Sequence, residues 1–214
     1  MMQRFSCSHC TRCCTSSGSP VEDASFRRAR ALLASRLGLV WAPGDGSHGV
    51  LLFNDEVREL QWQAALQDVA FHPVPLIYCI DDDSGSLVVL AWRFGSVVCP
   101  FLDGGRCLAH EVKPLICRSF PLVKAPGSQG YEVSTRCPAA RDVPGVDGSL
   151  FPGELEAISR ADARMVELFW LFERLSSTGV IHPRRLDEDD GAFSPAVMPR
   201  VVCIEDVGVP CRGG

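Results

Sequence analysis

The spacing of apolar and polar positions changes period several times along the chain. From 22 to 38 it is helical. Leu32, Leu33 and Leu37 share a face, Glu22 and Asp23 occupy the first turn, and Gly38 is placed to stop the helix. A second helical stretch covers residues 55–70, with Asn54 as its expected N-cap and Val57, Leu60, Ala64 and Val69 as its buried stripe. The period then shortens to that of strands. Val74 to Ile80 and Leu87 to Phe94 are rich in β-formers, and Asp81-Asp82-Asp83-Ser84-Gly85-Ser86 supplies turn chemistry between them, so a hairpin is expected.

Residues 97–122 read as loop with one helical turn, Tyr131 to Thr135 as a short strand, and Pro144 to Pro152 as linker. Glu154 to Leu175 predicts the longest helix, with Leu155, Ile158, Met165, Leu168, Phe169, Phe172 and Leu175 on one side. The tail beyond 180 carries Asp187-Glu188-Asp189-Asp190 and scattered prolines, and predicts no definite element. These periods define an α+β chain with a β-hairpin, several helices and long loops. Its expected division is a small domain over residues 1–143 and a C-terminal helical extension and tail over 144–214, packed on the first.

Composition narrows the class. The chain has 214 residues of which 46% are hydrophobic, so it can bury a core without staples and is not a disordered tract. A net charge of −5 argues against a nucleic-acid binder, which carries a basic excess. No apolar stretch approaches the roughly 20 residues that span a bilayer. The richest, Met165 to Leu175, is interrupted by Glu167 and Glu173. Met1-Met2-Gln3-Arg4-Phe5 leads into cysteines without an apolar signal segment, so a cytoplasmic protein is expected. In that compartment thiols are kept reduced, and clustered cysteines more often mean metal or redox chemistry than structural bridges.

The clustering is dense. Cys7, Cys10 and Cys13 follow C-x2-C-x2-C, and Cys14 adjoins the last of them. Two intervening residues let the chain curl so that successive sulfurs face one centre. Bacterial ferredoxins use this run to hold three corners of an iron–sulfur cluster and finish with Cys-Pro, whereas zinc usually takes separated C-x2-C pairs. Cys99-Pro100 and Cys137-Pro138 are available as that closing pair. Adjacent side chains diverge in strand and helix alike, so Cys13 and Cys14 are expected to face different centres, or one of them is not a ligand. Cys99, Cys107, Cys117 and Cys137 bring the constellation to eight thiols, enough for two four-thiolate sites, while Cys79, Cys203 and Cys211 lie outside it. Arg12, Arg106, Arg118 and Arg136 each adjoin one of these cysteines, where a guanidinium lowers a thiol pKa and offsets the charge of a thiolate centre.

Other readings stay open at this point. The thiols could be plain core residues, a disulfide framework, or a thioredoxin-type dithiol, although no strand precedes Cys7 as that last motif requires. His9 and His110 sit within the cysteine groups, as ligands or as residues beside them. Asp187 to Asp190 lack the calcium-loop pattern and read as a solvated turn. Phe169-Trp170-Leu171-Phe172 reads as core or as a partner contact.

Phe5-x-Cys7-x-x-Cys10-x-x-Cys13-Cys14 resembles the signature of the CxxCxxCC proteins, the YkgJ-like cysteine-cluster family described as zinc- or iron-chelating. That family's second block reads Cys-x-Phe-Leu, then Cys-x-Ile-Tyr-x-x-Arg-Pro, then Cys-Arg-x-Phe-Pro. Here it is Cys99-Pro-Phe-Leu102, Cys107-Leu-Ala-His110-Glu-Val-Lys113-Pro114 and Cys117-Arg118-Ser-Phe120-Pro121, with Cys137 as the late closing cysteine. The match covers residues 5–140. Thr11 stands where the family has glycine, His110 where it has tyrosine and Lys113 where it has arginine, and no ligand cysteine is missing.

The resemblance implies a metal centre, an iron–sulfur cluster (4Fe–4S first) or zinc, on Cys7, Cys10, Cys13, Cys14, Cys99, Cys107, Cys117 and Cys137. It implies no reaction. Flagellin lysine N-methylases carry a related cluster, so a cluster-dependent redox or group-transfer enzyme is one alternative, and a metal-delivery or interaction module with a protein partner is another. No dinucleotide fingerprint, P-loop, zincin motif or nucleophile elbow is present.

Overall fold

The computed structural model describes residues 5–7, 10–15, 24–42, 50–124, 130–141, 143, 145–185 and 200–208. Cys211, His9 and the acidic run Asp187 to Asp190 lie outside them. In chain order the elements are α1 (Arg12–Thr15), α2 (Ala24–Leu37), β1 (Leu39–Trp41), β2 (Leu51–Leu52), α3 (Asn54–Leu66), β3 (Pro73–Ile80), β4 (Leu87–Phe94), β5 (Leu102–Asp103), β6 (Arg106–Cys107), α4 (Leu115–Ser119), β7 (Leu122–Lys124), β8 (Tyr131–Val133), α5 (Pro152–Ser177) and β9 (Val201–Cys203). The class is α+β, with helices beside mainly antiparallel sheets and a long helix towards the C-terminus.

The expected hairpin is the centre of the main sheet. β3 and β4 pair antiparallel, with Tyr78 opposite Val89 and Ile80 opposite Leu87. β1 lies on the other edge of β3, Val40 opposite Tyr78. The second edge of β4 is shared: β2 pairs antiparallel at its end, Leu52 opposite Trp92, and β9 pairs parallel at its start, Val88 opposite Val202. With neighbours on both edges, β4 is buried at every position except the half-buried Trp92. Its sequence LVVLAWRF is the near-continuous apolar run that a central strand needs. Most strands of two and three residues carry no period of their own, which is why the sequence signalled only the hairpin and the short strand from Tyr131, here β8.

Gly38 stops α2 as expected. It takes φ +67 and donates its N–H to the Ala34 carbonyl at 3.0 Å, the left-handed helix end that glycine adopts without steric cost. A side chain there would also meet the Arg184 carbonyl oxygen at 2.6 Å.

α3 departs from the reading at both ends. Phe53 is the N-cap, and Asn54 is the first helical residue. The Asn54 side chain is buried: Trp92 Nε1 donates to its Oδ1 at 2.5 Å, and its amide donates to Glu205. The cap is supplied from inside the helix, where the Glu56 carboxylate accepts the Phe53 N–H at 2.9 Å. The helix ends at Leu66, and Asp68 then takes φ +53, so Val69 lies beyond it.

α5 buries Ala157, Ala161, Leu168 and Phe172 in the same core as Leu39, Ile77 and Leu90 of the sheet. The segments before and after residue 144 therefore share one core. Residues 145–152 do more than link, because Phe151 is fully buried. Of the aromatic stripe, Phe172 is core and Phe169 packs against it, while Trp170 is 67% exposed. Two further apolar clusters flank this core. One gathers Leu52, Val57, Leu60, Phe94, Cys99 and Phe101 between α3 and the loop after β4. The other gathers Leu122, Cys137, Ala140, Phe151 and Ile158 under β7 and the start of α5.

The hairpin turn is held by Asp81. Its Oδ2 accepts the Ser84 N–H at 3.1 Å and the Ser84 hydroxyl at 2.5 Å, and its Oδ1 accepts the His182 N–H at 2.7 Å. Burial pulls the carboxyl pKa up, but these donors outweigh it and hold it below the usual carboxylate value. A depressed folded pKa gives stability that is present above the ordinary value and is lost as pH falls through the folded one. Asp81→Ala is therefore expected to cost about 2 kcal/mol at pH 7. The gap from wild type should narrow at pH 3, as read by urea unfolding at both pH values.

Candidate metal centre

The opening segment is pinned at both ends. Phe5 donates its N–H to the Leu150 carbonyl at 2.8 Å and sets its ring 5.3 Å from that of Phe151. At the other end, Cys14 accepts the Cys99 N–H on its carbonyl at 3.0 Å. Between these anchors Thr11 takes φ +60, and its carbonyl accepts the Cys14 N–H at 2.8 Å, which folds the chain into the single turn of α1.

This backbone puts Thr11 in a conformation that suits glycine better. A left-handed residue is free for glycine and strained for a β-branched side chain. Thr11→Gly should relieve that strain, partly offset by the greater freedom of glycine in the unfolded chain, for a net gain of about 0.5–1 kcal/mol. A rise in the urea midpoint measures it.

The second block is built by short elements. β5 and β6 form a two-stranded ribbon in which Leu102 faces Cys107, with Gly104 and Gly105 at positive φ in its turn. α4 carries Cys117, with Pro114 as its N-cap and the Leu115 N–H held at 2.8 Å by Glu56 Oε1. Cys137 opens a single 3-10 turn, Pro138–Ala140, and its N–H is donated to the Ser134 carbonyl at 3.1 Å.

These elements bring all eight expected cysteines, Cys7, Cys10, Cys13, Cys14, Cys99, Cys107, Cys117 and Cys137, to the wall of one cavity of about 650 Å³. Leu60, Phe94, Phe101 and Ile158 complete much of its apolar surface, and Lys113, Arg118, Lys124 and Asp162 also border it. Cys79 is fully buried in the main core and Cys203 lies on β9, neither on that wall.

The thiols approach in pairs. Cys13 Sγ and Cys14 Sγ are 3.8 Å apart, so the adjacent side chains meet instead of diverging. Cys99 also lies close enough to raise the pKa of the Cys14 thiol. The convergence is that of a cavity and not of a finished ligand shell. Among the described residues, no group of three or more Cys, His, Asp or Glu stands close enough to hold one metal ion. No disulfide links the described cysteines.

For Cys13, Cys14, Cys107, Cys117 and Cys137 the surroundings favour the protonated form. The hydrogen bond to Cys14 and then burial push Cys13 far up, and burial with the neighbouring Cys13, Cys14 and Cys107 does the same to Cys117. For Cys14, the bond with Cys13 lowers the value, but the nearby Cys99 and burial outweigh it, and the thiol is pushed up to about 11. Burial also raises Cys107 and Cys137. The cation that opposes this is Lys113, which lowers both Cys13 and Cys107. Sequence adjacency pointed to four arginines. Of these, Arg118 borders the cavity and directs its Nε to the Lys113 carbonyl at 2.6 Å.

Sequence reasoning missed Glu56 as well. It is buried on α3, and its two oxygens tie the Phe53 N–H to the Leu115 N–H, so it sets the position of the helix that carries Cys117. The only signal was a glutamate three residues after a helix start. Compared with known proteins, the chain matches no protein-family model, no curated protein and no solved structure.

Proposed function

We propose that this chain is a metal-binding protein that holds an iron–sulfur cluster, 4Fe–4S first, or zinc on its clustered cysteines. One observation carries the reading: thiols from the opening segment and from four later positions, Cys99, Cys107, Cys117 and Cys137, remote in sequence, line a single cavity. Cysteines buried only for packing behave as small hydrophobes and have no reason to seek each other. Soft thiolates select zinc and iron–sulfur clusters over hard cations. A tetrahedral ion with Zn–S bonds of about 2.3 Å separates its sulfurs by about 3.8 Å, which is the Cys13–Cys14 distance. The YkgJ-like pattern of the first and second blocks points the same way, and the cytoplasm is the compartment in which such thiols stay reduced. Bound iron or zinc would supply cross-linking of the two blocks and, for a cluster, an electron store.

A second reading, a cluster-dependent enzyme, is supported by the size of the cavity. At about 650 Å³ it falls in the range of small-molecule sites, roughly 300–1,000 Å³, with apolar walls beside the thiols. Anaerobic purification followed by elemental analysis and an absorption spectrum tests both. Stoichiometric iron and sulfide with brown absorbance that bleaches on reduction supports the cluster and keeps the enzyme reading. Colourless protein with stoichiometric zinc supports a structural site. Protein prepared without oxygen that contains neither metal overturns the proposal.

A further inference from the structure

Resting on that metal-binding reading, we propose that the eight thiols form two centres: an inner one drawn from Cys13, Cys14, Cys99, Cys107 and Cys117, and an outer one on Cys7, Cys10 and Cys137 that exchanges its ion with solvent. The opening segment bridges two different apolar clusters. Its start belongs to the cluster of Leu122, Cys137 and Phe151, through the Phe5–Leu150 hydrogen bond and the Phe5–Phe151 ring contact. Its end belongs to the cluster of Leu60, Phe94 and Cys99, against which Cys14 and Cys107 pack. The left-handed turn at Thr11 falls between Cys10 and Cys13, so it divides the four opening cysteines into two pairs. The first pair lies at the Cys137 end and the second at the Cys99 end.

The electrostatic neighbours follow this division in part: Cys137 is influenced by Cys10 and Cys7, and Cys117 by Cys13, Cys14 and Cys107, while Cys7 acts on Cys107 across it.

The two sets differ in access. In the outer set Cys7 and Cys10 are exposed and Cys137 is buried, whereas in the inner set Cys99 is buried and Cys13, Cys14, Cys107 and Cys117 are half-buried. Five thiols can close the shell of a four-coordinate ion, and structural zinc sites are closed in this way. Three thiols leave a fourth position to be completed by another donor. Solvent and a competing chelator reach that position first.

The test uses the full chain, reduced, anaerobic and loaded with Zn2+. Two equivalents are expected, released to a chromogenic chelator in two phases. Cys137→Ser should remove the fast equivalent and leave the slow one. Cys117→Ser should weaken the slow one and leave the fast. Brief alkylation of the loaded wild-type protein in the chelator gives an answer that needs no variant: Cys7 and Cys10 should be labelled together, ahead of the inner five. One equivalent released in a single phase, with all eight thiols labelled at one rate, overturns the division while the metal-binding reading stands. A chain that takes up no Zn2+ overturns both.

Discussion

Removing the metal should lower the thermal midpoint by on the order of 10 °C without unfolding the whole chain. A ligand at a thousand times its dissociation constant adds about 4 kcal/mol to stability, and in a chain of this size each kcal/mol moves the midpoint by roughly 2–4 °C. Small zinc domains lose everything when stripped, because they have no other core. This chain has one. Leu39, Ile77, Leu90, Leu168 and Phe172 pack together without help from the constellation. The loss should therefore concentrate in the opening segment and the 99–117 loops, which meet the sheet through the cavity wall. Calorimetry of metal-loaded and chelated samples measures the midpoint, and limited proteolysis locates the loosened segments. An unchanged midpoint, in protein shown to have lost its metal, would sink the idea that the centre cross-links the two blocks.

Glu56→Ala should be nearly as damaging, although Glu56 is no ligand. The substitution strips the acceptor from two buried backbone N–H groups, those of Phe53 and Leu115. Each donor left unsatisfied costs about 1–3 kcal/mol, so a loss of about 3 kcal/mol or more is expected. The carboxylate is itself held at a cost, since burial raises its pKa against the opposing pull of those two N–H groups. Glu56→Gln keeps one acceptor oxygen and turns a donor towards the second N–H, so its penalty should be intermediate. A second readout separates this role from general packing. Leu115 begins α4, and Cys117 lies two residues further on. The slowly released zinc should therefore weaken in both variants while the fast fraction is unchanged. Wild-type stability in Glu56→Ala, by urea unfolding, would show that the bridge contributes nothing.

The hairpin and the long helix were legible because their signals are local. Val74 to Ile80 and Leu87 to Phe94 read as strands at nearly the bounds they adopt, and α5 extends the expected helix by two residues at each end. Gly38 was legible for the same reason: a helix end and the residue able to take positive φ coincide. The eight thiols could be named from spacing, and the chain does carry them to one wall.

What stayed hidden depends on distant partners. Asn54 reads as a cap by type, yet Trp92 and Glu205 draw its side chain into the interior, and neither is visible from its neighbourhood in sequence. β2 and β9 are two and three residues long and exist as strands only because β4 has an edge to fill. Cys13 and Cys14 were expected to diverge on the geometry of regular elements. They approach within the single short turn of α1, just after the left-handed Thr11. Glu56 joins α3 to α4 across 59 positions, a link that no pattern of spacing encodes.

The parallel pairing of Val88 with Val202 sets an order on how the molecule can be made. β4 leaves the ribosome long before its partner does, and half of one edge then offers unpaired N–H and C=O groups along an apolar strand, the kind of edge that recruits wrong neighbours. A nascent chain halted before residue 200 would carry that edge bare. The interval between the two syntheses is when this edge is most open to wrong pairing.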